Sequence, residues 1–181
     1  MDAIVEAALK KWPNVPHCYA WLALDARGDW YMRDDRIQAA GPFPRVKGSR
    51  IDHEKLREFI ARNYASDDSG AWFFQNGPQR VYVELEAAPW IWRLQADGTR
   101  IGVRSHTGQA VRAEQACVDE QGRLFLLTDL GFGLVHTADM EVAARAVESG
   151  EWTPQEVRFA ELPVRHGYRL SPQALQRNQA G

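Results

Sequence analysis

Residues 70 to 94 read Gly-Ala-Trp-Phe-Phe-Gln-Asn-Gly-Pro-Gln-Arg-Val-Tyr-Val-Glu-Leu-Glu-Ala-Ala-Pro-Trp-Ile-Trp-Arg-Leu and hold three of the chain's seven tryptophans. The aromatic run before Asn76-Gly77 and the alternating run after Gln79 spell a β-hairpin, because Asn-Gly is a favoured two-residue turn. A third strand is predicted at Trp90 to Leu94, with Trp90, Trp92 and Leu94 on one face and Ile91 and Arg93 on the other. Hairpins mixed with helical signals, rather than alternating βα units, predict an α+β protein.

Outward from this block, hydrophobic periodicity predicts an N-terminal helix over residues 2–12, with Ile4, Val5, Ala8, Leu9 and Trp12 on one face. Pro13 and Pro16 end it. A strand follows from His17, and Asp25-Ala26-Arg27-Gly28 is a turn that places glycine where a left-handed residue is needed. Trp30 to Met32 return, Asp34-Asp35 turns the chain, and residues 38–50 are expected as loop. Asp52 is the expected cap of a helix through Tyr64, whose buried face is Leu56, Phe59, Ile60 and Tyr64. Turns are expected at Gln95 to Gly98 and Asp119 to Gly122, with a returning strand from Thr99. A second helix begins at Thr137 or Asp139 and stops at Gly150, with the thinner face Met140, Ala143, Ala146 and Val147. A last strand is marked by Val157, Phe159 and Leu162, and a polar tail runs from Ser171.

The order hairpin, capped helix, strand occurs twice, as a duplicated α+β unit would produce. The expected architecture is therefore curved antiparallel sheets of hairpins, each packed on a helix. Its boundaries are an N-terminal helix and linker over 1–16, a first half over 17–94, a second half over 95–170 sharing one compact unit with it, and a tail over 171–181.

Gly28-Asp-Trp-Tyr with Ile37, Leu56-x-x-Phe59, Asp68-x-Gly70-x-Trp72-Phe73 and Gln79-Arg80-Val-x-Val-Glu84 running to Ala88-Pro89-Trp90 form a pattern over roughly residues 15 to 150. It resembles uncharacterised proteobacterial families. One is a small family of unknown function carrying the Trp-Phe-Phe-Gln-Asn-Gly-Pro-Gln-Arg block. The other is a more distant group of two-part α+β proteins connected with signal transduction. The resemblance implies the fold and supplies no catalytic residues.

The 181 residues carry a net charge of -2 with 45% hydrophobic and 25% charged residues, the composition of an ordinary globular protein. That charge argues against a nucleic-acid binder working by bulk electrostatics. No apolar run approaches the roughly 18 residues needed to cross a bilayer, so no membrane partner is expected. The N-terminal residues lack a secretory pattern, and Cys18 and Cys117 are isolated, which points to a reduced cytoplasmic protein.

The concentrated polar set lies at the hairpin tip. Gln75, Asn76, Gln79 and Arg80 offer amides beside a guanidinium, a combination suited to a carboxylate or phosphate. The same residues also serve a plain structural hairpin, with Arg80 paired to Asp67, Asp68 or Glu84. Trp90 and Trp92 are the expected groove residues, and His106 beside Thr107-Gly108 is the histidine chosen for a polar site. Asp129 and His136 are a candidate acid/base pair across Gly131-Phe132-Gly133. Arg45, Lys47 and Arg50 form a small basic loop. No His-x-x-x-His or Cys-x-x-Cys spacing occurs, and Gly131-x-Gly133 lacks a third glycine, so neither metal nor cofactor is expected. The leading expectation is a cytoplasmic binding or regulatory module for a small anionic metabolite or a protein segment. The alternatives are a hydrolase or transferase built on His106, Asp129 or His136, and a homodimeric interaction subunit whose Trp strand is covered by its mate.

Overall fold

The structure is a computed structural model that describes residues 1–98 and 100–180. The protein is α+β, with two curved, non-closed sheets of mostly antiparallel strands. It divides into two compact units: Met1–Asp25, Asp29–Glu86 and the chain from Gly167 onward form the first, and Ala26–Gly28 with Ala87–His166 form the second.

The first unit contains α1 (Ala3–Lys11), β1 (Cys18–Leu24), β2 (Trp30–Met32), α2 (Asp35–Ala40), β3 (Ser49–Arg50), α3 (Glu54–Arg62), β4 (Tyr64–Ser66), β5 (Trp72–Asn76) and β6 (Gln79–Leu85). Its strand order is β3-β2-β1-β6-β5-β4, with β1 and β6 parallel at the centre. The second unit contains β7 (Trp90–Asp97), β8 (Arg100–Ser105), β9 (Ala110–Val111), β10 (Ala113–Val118), β11 (Leu124–Thr128), β12 (Gly131–Val135), α4 (Met140–Glu148), β13 (Gln155–Glu156) and α5 (Leu162–Arg165). Its order is β13-β10-β11-β12-β7-β8-β9, with β7 and β12 parallel. Leaving β13 aside, both sheets repeat one pattern: two three-stranded meanders whose first and last strands meet in parallel at the centre. α6 (Pro172–Ala180) completes the first unit on β1 and β6.

One loop form recurs. Asp67 takes the N–H groups of Ser69 and Ala71 on one carboxylate oxygen, at 2.9 and 3.1 Å. Asp119 does the same for Gln121 and Arg123, at 3.0 and 2.9 Å. Asp25 receives the Asp29 N–H, and the Ser105 hydroxyl receives that of Gln109. In each loop the fourth residue is a glycine at positive φ: Gly28, Gly70, Gly108 or Gly122. The Asp-x-x-Gly reading of the sequence thus identifies a real hairpin closure, in which the side chain satisfies backbone donors that the turn leaves open.

Several expectations are corrected. β7 absorbs Gln95 and Ala96, which pair with Gly102 and Ile101, so the turn begins later. The returning strand starts at Arg100 among the described residues, and Thr99 lies outside them. The expected turn at Asp34-Asp35 opens a helix, Asp35–Ala40, which takes in the start of the expected 38–50 loop, because Asp34 accepts the Ile37 N–H at 2.9 Å as an N-cap. His53 rather than Asp52 caps α3, and Asp52 pairs with Arg50 at 2.8 Å. In α1 only Val5 is buried, while Ile4 and Trp12 face solvent. The expected last strand is short, Gln155–Glu156, and Phe159 and Leu162 belong to a 3-10 turn and to α5. The expected tail is α6, and the units part between Glu86 and Ala87 rather than at residue 94, because Trp90–Leu94 is an interior strand of the second sheet.

Candidate functional site

Two of the four hairpin-tip side chains, Gln75 and Gln79, are spent on backbone carbonyls. Strands β5 and β6 pair as far as Asn76 and Gln79, so the loop is Gly77-Pro78 rather than Asn76-Gly77, with Gly77 at φ +57°. Glycine followed by proline suits a turn whose first central residue alone has positive φ. The Gln75 side chain is buried and donates to Gly77 O at 2.9 Å, and Gln79 donates to Pro16 O at 2.9 Å. Arg80 lies 4.4 Å from the centroid of the Phe73 ring. Two of the three acids expected to pair with Arg80 have other partners: Asp67 accepts from the Tyr82 hydroxyl, and Glu84 accepts from Gln173 N–H. Asn76 alone of the four is exposed.

Trp90, Trp92 and His106 lie in the second unit, so they form no common site within one unit with the hairpin-tip residues. The two indoles stack with centroids 6.1 Å apart, and Trp92 Nε1 donates to Leu126 O at 3.1 Å. Both are buried, as is Ile91 between them, which corrects the groove expectation: this strand is covered on both sides. A Cβ on Gly133 would fall 2.5 Å from Trp90 O and 2.6 Å from the Trp92 indole, so glycine there is a packing requirement. His106 accepts the Ile91 N–H through Nδ1 at 3.3 Å, and burial drives its pKa down to about 3. It is a neutral structural acceptor at pH 7, which corrects its place in a polar site.

Asp129 and His136 do not meet. Asp129 accepts the Arg112 N–H at 3.0 Å beside the β11–β12 turn, whereas His136 accepts the Ala138 N–H at 3.0 Å beyond the far end of β12. Cys18 and Cys117 are free thiols in different units. Two of the three cations of the basic loop are paired: Lys47 reaches Asp25 at 2.8 Å and Glu86 at 3.2 Å, and Arg50 pairs with Asp52.

Sequence patterning missed a set of buried charges in the first unit. Arg33 is almost fully buried and donates to the carbonyls of Gly41 and Val46, at 2.7 and 3.2 Å. Burial lowers its pKa, against the attraction of Glu84. Burial raises the Glu84 carboxyl, and Ser171, Gln173 N–H and Arg33 oppose that rise. No local pattern marks these residues, because the groups that satisfy them come from the 41–46 loop and α6.

The second unit holds the best-formed concavity. Sheet two does not close: its end strands β9 and β13 both line a cleft of about 510 Å³, together with Ile101 and Val103 of β8, Ala113 to Ala116 of β10, and Trp152. β9 becomes β10 through the single residue Arg112, whose N–H and carbonyl both bond to Asp129. The seam is therefore pinned at Arg112 and opens toward β13. Ile101, Val103, Val111 and Trp152 form its apolar wall, and Arg112, Glu114, Glu151 and Gln155 are its polar groups. Arg112 lies 3.6 Å from Glu114.

A wider depression of about 760 Å³ beside Asp119 is more open and lacks such a wall. Its acids are already engaged in part, Asp119 with Arg123 at 2.7 Å and Glu120 with the Phe159 N–H at 2.8 Å. Among the described residues no cluster of His, Cys, Asp and Glu could hold a metal ion, and no helix is long and apolar enough to cross a membrane.

Comparison with known proteins bears on family and fold. No curated protein matches the sequence. A DUF1285 family protein from Shewanella baltica OS155 aligns with TM-score 0.45 and 17% identity, covering 69% of this chain and 91% of that one. A DUF1285 family protein from Silicibacter pomeroyi DSS-3 aligns with TM-score 0.48 and 11% identity, covering 79% and 83%. Residues 1–174 match the model of the DUF2944 family, described as "Protein of unknown function (DUF2946)", and the chain belongs to that family.

Proposed function

We propose that the protein is a binding module with a regulatory rather than catalytic role, and that the seam of its second sheet is the ligand site. The observation that carries this reading is the cleft of about 510 Å³ at the unclosed seam. Its volume lies within the roughly 300–1,000 Å³ of small-molecule sites, and its accessible lining is more polar than apolar, with Val103 and Trp152 largely buried beneath it. One arginine against two glutamates does not select an anion, so the small anionic metabolite expected at the hairpin tip gives way to a neutral or mixed-polarity ligand. A part in signal transduction, which the sequence resemblance implies, would be exercised through occupancy of this cleft.

Less supports an enzyme. His106 is held neutral by burial, and Asp129 and His136 are apart. The homodimer alternative rested on an exposed tryptophan strand, and Trp90 and Trp92 are interior.

The test is a thermal-shift screen of metabolites and short peptides against the parent protein, Arg80→Ala and the cleft-filling variant Ala113→Trp. A ligand at about a hundred times its Kd stabilises by roughly 2.7 kcal/mol. The stabilisation is expected to survive Arg80→Ala and vanish in Ala113→Trp. Loss in Arg80→Ala alone would move the site to the hairpin tip.

A further inference from the structure

We infer that the cleft receives an extended polypeptide segment, which adds as a short strand to the open flank of β10. This inference rests on the binding reading above and specifies its ligand. β10 is paired along one side by β11, but on its other side β13 reaches only Cys117 and Val118. Among the described residues no strand flanks Ala113 to Ala116 on that side. A strand edge without a neighbour presents backbone N–H and C=O groups that a second chain can satisfy.

The cleft lies along that edge. Side chains of an added strand alternate between two faces, so every second one would enter the space walled by Val103, Val111 and Trp152, and the others would pass Arg112 and Glu114 at the rim. The open stretch is short, and the register shift between Ala113 and Gln115 falls inside it, so regular addition is confined to about two residues around Gln115 and Ala116, with the peptide following the bulge beyond them. Charge agrees with this occupant. Arg112 and Glu114 lie 3.6 Å apart and offset each other, and Glu151 adds one negative charge to the lining, so the occupant is a neutral or mildly basic peptide held mainly through its backbone hydrogen bonds.

The experiment selects displayed random octapeptides on the full chain, resynthesises the strongest and measures binding by fluorescence anisotropy. Each is compared with versions N-methylated at alternate residues, which remove backbone donors without altering side chains. Strand addition predicts at least a tenfold loss in one N-methylation phase and little in the other, with new protection in NMR hydrogen exchange at the Ala116 amide, which shares the outward side with Val118. This comparison needs no protein variant, so it stands even if Ala113→Trp misfolds. Selected peptides that tolerate both N-methylation phases overturn strand addition. Small molecules that stabilise the parent but not Ala113→Trp, with no peptide enriched, overturn it while the cleft reading stands. Concentration-dependent dimerisation that protects the same amides overturns it in favour of a second copy. If neither peptide nor small molecule binds, both readings fall.

Discussion

Asp139 holds Arg93 and the backbone of β7 together: its carboxylate accepts Arg93 Nε at 2.6 Å, Arg93 Nη2 at 3.1 Å and Leu94 N–H at 3.0 Å. Placed as a helix cap by the sequence, it makes no cap bond to α4 and instead ties the entry of that helix to the sheet. Partial burial pushes its carboxyl up, but the Arg93 guanidinium and the Leu94 N–H outweigh that and hold it below its usual value. Asp139→Asn keeps the shape and loses the charge. It should cost about 1.5–3 kcal/mol in urea melts at pH 7, the range for hydrogen bonds to charged groups. Because the folded pKa is depressed, this stability is present above the unfolded value of about 3.9 and lost as pH falls below it. Asp139→Asn should therefore show a shallower acid limb than the parent.

His106 gives the pH dependence nearest neutrality. Its folded pKa of about 3 lies below the unfolded value of about 6.5. The unfolded chain therefore binds the extra proton between those values, and stability falls as pH drops through that window. From pH 7 to pH 5 the loss assignable to His106 is about 2 kcal/mol. His106→Asn, whose carbonyl can still accept the Ile91 N–H, should lose less over the same interval. An unchanged slope in denaturant titrations would show that the imidazole stays accessible to protons.

At the hairpin tip the ranking of costs inverts what surface chemistry suggests. Gln75→Ala removes the buried amide that donates to the half-buried Gly77 carbonyl and should cost about 1–2 kcal/mol. Arg80→Ala loses a half-exposed contact with the Phe73 ring and should cost about 0.5–1 kcal/mol. Thermal melts of the two variants side by side decide it, and a larger loss for Arg80→Ala would make the guanidinium a structural tie.

Phe59 packs edge-on against Phe74, with centroids 5.4 Å apart, whereas Val147 is 40% exposed. Phe59 is half-buried, so Phe59→Ala should cost about 2 kcal/mol, below the range for a fully buried aromatic, and Val147→Ala less than about 1 kcal/mol, as at surface positions. Equal losses would mean that α4 anchors its sheet through Val147 rather than through Ala143 and Ala146.

Strands and turns were legible because their signals are local. Asp25, Asp67 and Asp119 each precede a glycine by three residues, and each closes its own loop. That the layout is duplicated in two parts was legible, but the order of elements paired the Asp25 hairpin with the Asp119 hairpin, whereas in the sheets the Asp119 hairpin of β10 and β11 corresponds to β4 and β5. The equivalence given by strand order, β1 with β7 through β6 with β12, leaves no residue pattern strong enough to see. The site was less legible, because polarity in a sequence does not say where a side chain points. Gln75, Gln79 and His106 read as ligand donors, yet they bond backbone groups that their own strands or distant loops leave open. The seam cleft is formed by strands far apart in sequence, and Trp152, Val103 and Ala113 each look ordinary alone. α2 went unseen because Pro42 and Pro44 suggested loop, although Asp34 supplied a cap.

The interruption of the first unit sets a schedule for its completion. Its last connections are Leu85 N–H to Leu170 O at 2.8 Å, Arg169 N–H to Gly70 O at 3.0 Å and Gln173 N–H to the Glu84 carboxylate at 3.1 Å. All three need residues made after Ala87–His166, the whole inserted portion of the second unit. At roughly 5–20 residues per second, a ribosome takes about 4–16 s to deliver that insertion. During this interval the six strands of the first sheet exist without the helix that covers β1 and β6, and Glu84 awaits its N–H donor. The second unit, contiguous but for residues 26–28, faces no comparable delay, so synthesis favours its maturing first, with the N-terminal sheet sealed only once the chain from Gly167 onward has been made.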